Sequence, residues 1–345
     1  MCSPSPRTLL DGCPGEPYTH GTEEFSLTPT VKIVIDEDDF LSQICGAGHA
    51  NLDALEAVMG VPVYSLGNEL HLRSEDPAVF GRFDLLVRTL HQHHKLGQSV
   101  NPDLIASLEE ALLGGDDAKL QQFQDTAIAI PQGFGKVFPR GWHQVEYVDA
   151  MRRCDVTFGI GPAGTGKTYL AIAQALSEVL SRKRRKLVLT RPVVEAGENL
   201  GFLPGDLAQK ISPYLRPLYD AMEDLVPPEI LNRLEENRVI EIAPLAYMRG
   251  RSLKNCFVVL DEAQNTTKTQ MKMFLTRLGE GAKAVITGDL TQVDLPRTQE
   301  SGLLHARKIL EGIPEVHFSV FEKKDVVRSS LVRKIIEAYE THEGS

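Results

Sequence analysis

The stretch Thr157-Phe158-Gly159-Ile160-Gly161-Pro162-Ala163-Gly164-Thr165-Gly166-Lys167-Thr168-Tyr169-Leu170 decides the fold. It opens inside an apolar, β-type run, Val156 to Ile160, and closes on a helical run, Tyr169 to Leu180. Between them lies G-x-x-x-x-G-K-T, so strand, loop and helix follow in the order a phosphate-binding loop requires. Gly161, Gly164 and Gly166 leave room for backbone N–H groups to curl inward, and the first turn of the helix adds its positive dipole end. Pro162, Ala163 and Thr165 complete the loop. Lys167 is expected at the β and γ phosphates of a nucleoside triphosphate, and the Thr168 hydroxyl on Mg²⁺.

Downstream, short apolar runs alternate with helical patterns: Leu187 to Thr190, Val239 to Ile242, Phe257 to Leu260, Ala284 to Thr287 and Val316 to Val320. Continuous runs spaced by helices predict a parallel sheet covered on both faces, a three-layer α/β domain. The run Phe257 to Leu260 ends in Asp261-Glu262. Asp261 is the second oxygen donor a Mg²⁺ site needs, and Glu262 is the candidate general base for an attacking water. Gly288-Asp289-Leu290-Thr291-Gln292 ends another strand at the same edge, where open α/β sheets bind ligands, and makes Gln292 the candidate γ-phosphate sensor. No N-K-x-D stretch is present, so ATP is expected rather than GTP. Gln144, with Tyr147 one helical turn on, is the candidate for reading and stacking the adenine. The last element, Asp325 to Tyr339, reads as a helix packed on this domain.

Upstream the chain divides into a flexible tail over residues 1–28, a small α+β domain with a helical connector over 29–130, and a Gly/Pro-rich linker over 131–143; the P-loop domain fills 144–345. In the small domain Val31 to Ile35 reads as a strand, Asn51 to Met59 as a helix stopped by Gly60, and Gly67-Asn68 as the turn of a hairpin. Val79, Phe83, Leu86 and Leu90 then recur at helical spacing, which gives a βαββα unit. The net charge of −10 is unevenly held: residues 1–130 carry 7 Lys/Arg against 20 Asp/Glu, whereas the remainder carries 30 against 27. The acidity of the whole is therefore no argument against a polyanionic partner for the second part. Five scattered cysteines without a C-x-x-C pair suggest neither zinc nor disulfides. No apolar run approaches the roughly 18 to 20 residues that span a bilayer, and the first residues lack a secretory h-region, so no membrane association and a cytoplasmic location are expected. His91, His93 and His94 read as exposed histidines at a helix end, and the run Arg182 to Lys186 as a solvated loop at a helix C-terminus.

Several stretches taken together resemble the PhoH family: Gln144-Val145-Glu146-Tyr147, the P-loop segment, Thr190-Arg191-Pro192-Val193-Val194-Glu195-Ala196-Gly197-Glu198, Leu203-Pro204-Gly205-Asp206, Tyr247-Met248-Arg249-Gly250-Arg251, Asp261-Glu262-Ala263-Gln264-Asn265, and Thr287 to Gln292. The likeness is dense over about residues 140 to 340, and residues 31 to 130 more distantly resemble a small KH-like fold. It implies a single RecA-like P-loop NTPase core that binds and hydrolyses ATP with Mg²⁺, with RNA as partner and an association with the ribosome-processing endoribonuclease YbeY. By position, Gln144 matches the adenine-reading glutamine, Lys167 and Thr168 the P-loop, Asp261 and Glu262 the second acidic motif, and Gln292 the sensor. Gly141-Trp142-His143 stands where the family commonly has a basic residue and Thr, Ser329-Ser330 stands where His-Pro is expected, and the N-terminal part has no G-x-x-G. A single core has no second core to lend a charge-stabilising arginine. Arg191, Arg249, Arg251 and Arg328 are the candidates to act in trans within a homo-oligomer, a ring being one form. An ATP-binding scaffold with little turnover and a processive RNA helicase stand as alternatives.

Overall fold

The computed structural model describes residues 30–114, 117–192, 207–296 and 298–326. The tail read over residues 1–28, the stretch 193–206, Arg328 and the helix expected beyond Asp325 lie outside the described residues.

The N-terminal unit runs β1 (Thr30–Val34), α1 (Asp38–Cys45), α2 (Ala50–Met59), β2 (Val63–Leu66), β3 (Glu69–Arg73) and α3 (Pro77–Lys95). Its sheet is antiparallel in the order β1-β3-β2, and alternation sends Leu70 and Leu72 of β3 into the core while Glu69 and His71 face outward. The order of elements is βααββα. One helix more is present than the sequence reading placed: α1 has eight residues and two buried anchors, Phe40 and Ile44, too short a pattern to register as periodic. α4 (Pro102–Leu113) starts where Asn101 accepts a hydrogen bond from the Leu104 amide at 3.0 Å, with Pro102 at the first helical position, and α5 (Asp117–Asp125) follows.

β4 (Ile128–Ile130) and β5 (Gly135–Val137) form an antiparallel hairpin whose Ile128 and Ile130 are buried in the core of the following domain. The expected linker over 131–143 is thereby corrected: it holds the turn of this hairpin, the strand β5 and the start of α6 (Trp142–Arg153). Its Gly and Pro content marks a tight turn, where Gln132 and Gly133 have φ of 69° and 83°.

The larger domain continues with β6 (Val156–Ile160), α7 (Lys167–Leu180), β7 (Lys186–Arg191), α8 (Leu207–Glu223), α9 (Pro228–Glu236), β8 (Ile240–Pro244), β9 (Cys256–Leu260), α10 (Lys268–Leu275), β10 (Lys283–Gly288), α11 (Gly302–Leu310) and β11 (Val316–Val320). The six strands of its sheet are parallel, in the order β11-β6-β10-β9-β7-β8. Alternate residues divide between two cores. Leu187, Leu189, Phe257 and Val259 pack with α6, α7 and α8 on one face, whereas Val188, Val258 and Leu260 pack with α10 and α11 on the other. The result is a three-layer, RecA-like α/β domain. With every strand pointing the same way, the residues that follow β6, β7, β9 and β10 all gather along one edge.

Candidate nucleotide site

Backbone geometry shapes the loop after β6. Gly166 has φ 79°, and a Cβ there would meet the Gln144 amide at 3.0 Å; one at Gly161 would lie 2.5 Å from the Phe321 carbonyl oxygen. Both positions therefore require glycine. Lys167, the first residue of α7, is buried and turns back over the loop: its Nζ donates to the Gly161 and Pro162 carbonyls at 2.7 and 2.6 Å and to Thr165 Oγ1 at 3.2 Å. Burial lowers its pKa, and Asp289, Asp261 and Glu262 oppose that shift by favouring the ammonium.

Asp261 meets the P-loop helix directly. Its Oδ1 accepts from Thr168 Oγ1 at 2.8 Å and from Thr287 Oγ1 of β10 at 2.7 Å, and its backbone N–H donates to Thr190 of β7. Glu262 leaves the strand in a left-handed conformation, φ 51°, an uncommon one for a side chain branched only beyond Cβ and typical of positions that must aim a functional group. Both of its oxygens are held: Oε1 lies 2.9 Å from Arg191 Nη2, and Oε2 accepts from Gln264 Nε2 at 2.5 Å. A cavity of about 370 Å³ is walled by Lys167, Thr168, Arg191, Asp261, Glu262 and Gln292, among others. Gln292 stands on its exposed rim. The carboxylates are thus arrayed on one side of a space whose other side is the Gly-rich loop.

Two residues that the sequence reading gave no role hold this array. Gln264 is fully buried and bridges three elements, donating to Glu262 and to the Gln292 carbonyl and accepting from the Asp289 amide. Asp289 in turn accepts from the Ala163 amide of the P-loop at 3.1 Å and from both the amide and the hydroxyl of Thr291. Asp-Glu-Ala-Gln was legible as a string, but nothing in the string says that its glutamine turns inward.

Several other residues singled out in the sequence have partners within the chain. Tyr147 is fully enclosed, with its ring edge on Phe321 and its hydroxyl 3.4 Å from the Lys167 carbonyl, so it cannot stack on a base. Gln144 uses its amide on the protein: Nε2 donates to the Thr165 carbonyl at 2.9 Å and Oε1 accepts from the Arg140 amide at 2.8 Å. It braces the P-loop from α6. Arg191 reaches Glu262 and the Tyr214 carbonyl within its own chain. Arg251 makes a bidentate pair with Glu241, at 2.5 and 2.9 Å, near the start of β8 and away from the cavity. Arg249 is exposed beside it. His93 is not exposed as expected but fully buried, with its Nδ1 2.7 Å from Gln98 Oε1, and among the described residues no group of three or more His, Cys, Asp or Glu forms a metal cluster.

Comparison with known sequences agrees with this architecture. The family model described as PhoH-like protein matches residues 136–340. The chain belongs to the PhoH family. A PhoH-like protein of Mycobacterium tuberculosis (strain ATCC 25618 / H37Rv) is 45% identical over 305 residues, 88% of this chain and 86% of its own length. That of Bacillus subtilis (strain 168) is 59% identical over 197 residues, 57% of this chain and 62% of its own, and Protein PhoH of Escherichia coli (strain K12) is 42% identical over 205 residues, 59% and 58%. Among solved structures, a Sulfolobus solfataricus SWI2/SNF2 ATPase core in complex with dsDNA aligns with 42% of this PhoH-family chain and 30% of its own at 15% identity and a TM-score of 0.29, too slight a likeness to add to the assignment.

Proposed function

We propose that this PhoH-family chain binds and hydrolyses ATP with Mg²⁺ and couples hydrolysis to RNA. One observation carries the reading: Thr168 and Asp261, 93 residues apart in sequence, meet at 2.8 Å in the cavity that also holds Lys167 and Glu262. A hydroxyl and a carboxylate side by side are the hard oxygen donors a divalent cation prefers, so Thr168 and Asp261 would hold Mg²⁺. When bound, the ion neutralises charge on the phosphate oxygens. The chain's own groups do the rest. The loop amides and Lys167 fix the triphosphate tail, and Glu262 accepts a proton from the water as its oxygen bonds to the γ-phosphorus and ADP departs, while Arg191 and Gln264 hold the two Glu262 oxygens in place. Gln292 on the rim senses the terminal phosphate.

RNA coupling rests on the family resemblance and on Tyr247 and Arg249, exposed after β8, as contact residues. Of the arginines proposed to act across a subunit boundary, Arg249 is exposed, whereas Arg191 and Arg251 are paired with Glu262 and Glu241 of their own chain. A ribosome-processing endoribonuclease as partner and a cytoplasmic location belong to the same proposal; no described helix is long and apolar enough to cross a membrane.

A second reading, nucleotide binding with little turnover, is favoured by the pairing of both Glu262 oxygens, which restrains the base. Phosphate release from ATP by the full chain, with Mg²⁺ or EDTA and with RNA titrated at two salt concentrations, separates the two. The proposal expects Mg²⁺-dependent release that rises with RNA, the rise shrinking at high salt. Tight ATP binding without release under every condition would leave the scaffold reading in its place.

A further inference from the structure

One peptide group lies between two glutamines from different parts of the fold. The Pro139 carbonyl accepts a hydrogen bond from Gln98 Nε2 at 3.0 Å, and the N–H of Arg140, the other end of the same peptide, donates to Gln144 Oε1 at 2.8 Å. Gln98 belongs to the loop between α3 and α4 of the N-terminal unit and Gln144 to α6; both side chains are buried. Gln144 donates in turn from Nε2 to the Thr165 carbonyl at 2.9 Å, inside the P-loop. At the other end Gln98 Oε1 lies 2.7 Å from Nδ1 of the buried His93. The backbone partners fix each donor and acceptor. A carbonyl only accepts and an N–H only donates, so each glutamine amide has one orientation, and Gln98 Oε1 must accept from His93, whose proton is thereby assigned to Nδ1. Burial lowers the His93 pKa and favours the neutral ring this assignment uses.

Hydrogen bonds therefore run in one direction through three amides, from His93 through Gln98, the Pro139–Arg140 peptide and Gln144, and end on the Thr165 carbonyl. That carbonyl shares its peptide with the N–H of Gly166, a loop amide of the kind that cradles phosphate. An amide that accepts at its oxygen donates more strongly from its nitrogen, so each link polarises the next. On the nucleotide reading given above, we infer that Gln98 is a positioning residue of the nucleotide site, through which the N-terminal unit sets the orientation of Gln144 and of the Thr165–Gly166 peptide that receives the triphosphate. Gln98 acts at a distance, through a peptide 41 residues further along the chain. Its amide supplies both an acceptor and a donor, and an apolar side chain of the same length would fill the space while leaving the Pro139 carbonyl buried without its partner. The neighbouring Asn101 serves as a contrast: its side chain caps α4 by accepting from the Leu104 amide and donates to the Ser99 carbonyl, so it steadies the same loop without entering the chain of amides.

The experiment measures MgATP affinity, phosphate release at saturating ATP and the urea midpoint for the full-length chain and its variants. Gln98→Met keeps the volume and cuts both links. Gln98→Ser, too short to reach Pro139 and with room for water, carries the same test should the methionine variant not fold. Either is expected to weaken MgATP about three- to tenfold while phosphate release at saturation stays within about twofold, a tenfold change being about 1.4 kcal/mol. Combined with Gln144→Met, the Gln98 change is expected to alter MgATP affinity by less than about twofold, because the chain of amides is already cut. Asn101→Ala is expected to lower the urea midpoint and leave MgATP affinity unchanged. Parental MgATP affinity in the Gln98 variants overturns the inference. So does an equal loss with and without Gln144, which would confine Gln98 to the stability of the N-terminal unit. In both of those cases the parent chain still binds MgATP and this inference fails alone; if the parent chain binds no MgATP, the nucleotide reading fails with it.

Discussion

The two ends of the large sheet are both rich in charge, and they use it in opposite ways. At the ends where β6, β9 and β10 finish, Lys167, Asp261, Glu262 and Asp289 converge on a common cavity. At the ends where β7 and β10 begin, Lys186 and Arg251 both pair with Glu241, and Lys283 caps the Arg152 and Cys154 carbonyls. A cleft of about 760 Å³ lies at this second end too, bordered by Arg152, Arg184 and Lys283, so size does not distinguish the two. What differs is the destination of the charges. At the starting ends Arg152, Arg153, Arg184 and Lys283 are matched to carboxylates or carbonyls of the fold; at the finishing ends Lys167, Asp261 and Glu262 have partners too, but all three line one cavity together with the Gly-rich loop. The first arrangement stabilises the domain, and the second is suited to bind something absent from the chain itself.

This contrast is open to breakage at either end. The largest effect is expected from Lys167→Ala, which removes the ammonium from the loop: ATP turnover should fall on the order of 10² to 10³-fold, with the melting transition little changed, as checked by phosphate release and circular dichroism. Retained turnover would make the finishing end no more functional than the starting one. Arg191→Ala is expected to lower turnover about tenfold or more, because the guanidinium faces its own chain's cavity. Mixing that variant with Lys167→Ala should then restore nothing, whereas recovery of activity in the mixture would return Arg191 to the role of a residue acting in trans.

At the starting end the expected effect is on stability alone. Hydrogen bonding from Arg251, then from Lys186, holds the Glu241 carboxyl down at about 2 against its usual 4.5. Because the folded pKa is the lower one, the stabilisation is present above about pH 4.5 and is lost as the pH falls from there toward 2. Arg251→Ala should cost about 1 to 2 kcal/mol at neutral pH, solvent screening of this half-exposed pair included, and should flatten the acid limb of a urea denaturation series while leaving ATP turnover intact. A loss of turnover without a loss of stability would reverse the roles assigned to the two ends.

How far the sequence carries is explained by the range of the interactions. The P-loop and the six parallel strands were legible because each is set by residues close in the chain: an apolar run, glycines, a lysine at a helix start. Asp261 and Glu262 were legible because a strand that ends in acids at a sheet edge has few other uses. The short helix α1 and the β4–β5 hairpin were not, since eight residues or two three-residue strands carry too little periodicity. Tyr147 was misread and Gln264 overlooked for a different reason, which also hid the protein partners of Gln144. Whether an amide or a phenol faces ligand or protein depends on what packs over it, and those neighbours, Thr165, Phe321 and Asp289, are distant in sequence or belong to other elements. Arg191 likewise had no visible partner until β7 and β9 were placed side by side.

The central claim is that the finishing end holds a triphosphate against an activated water, with Glu262 as the activating group. Equilibrium ATP binding and single-turnover phosphate release, measured on the same preparation of the Glu262→Gln variant, address it most directly. The account predicts ATP affinity within a few fold of the parent chain and phosphate release slowed by about 10² or more. Parental release rates in that variant would contradict it.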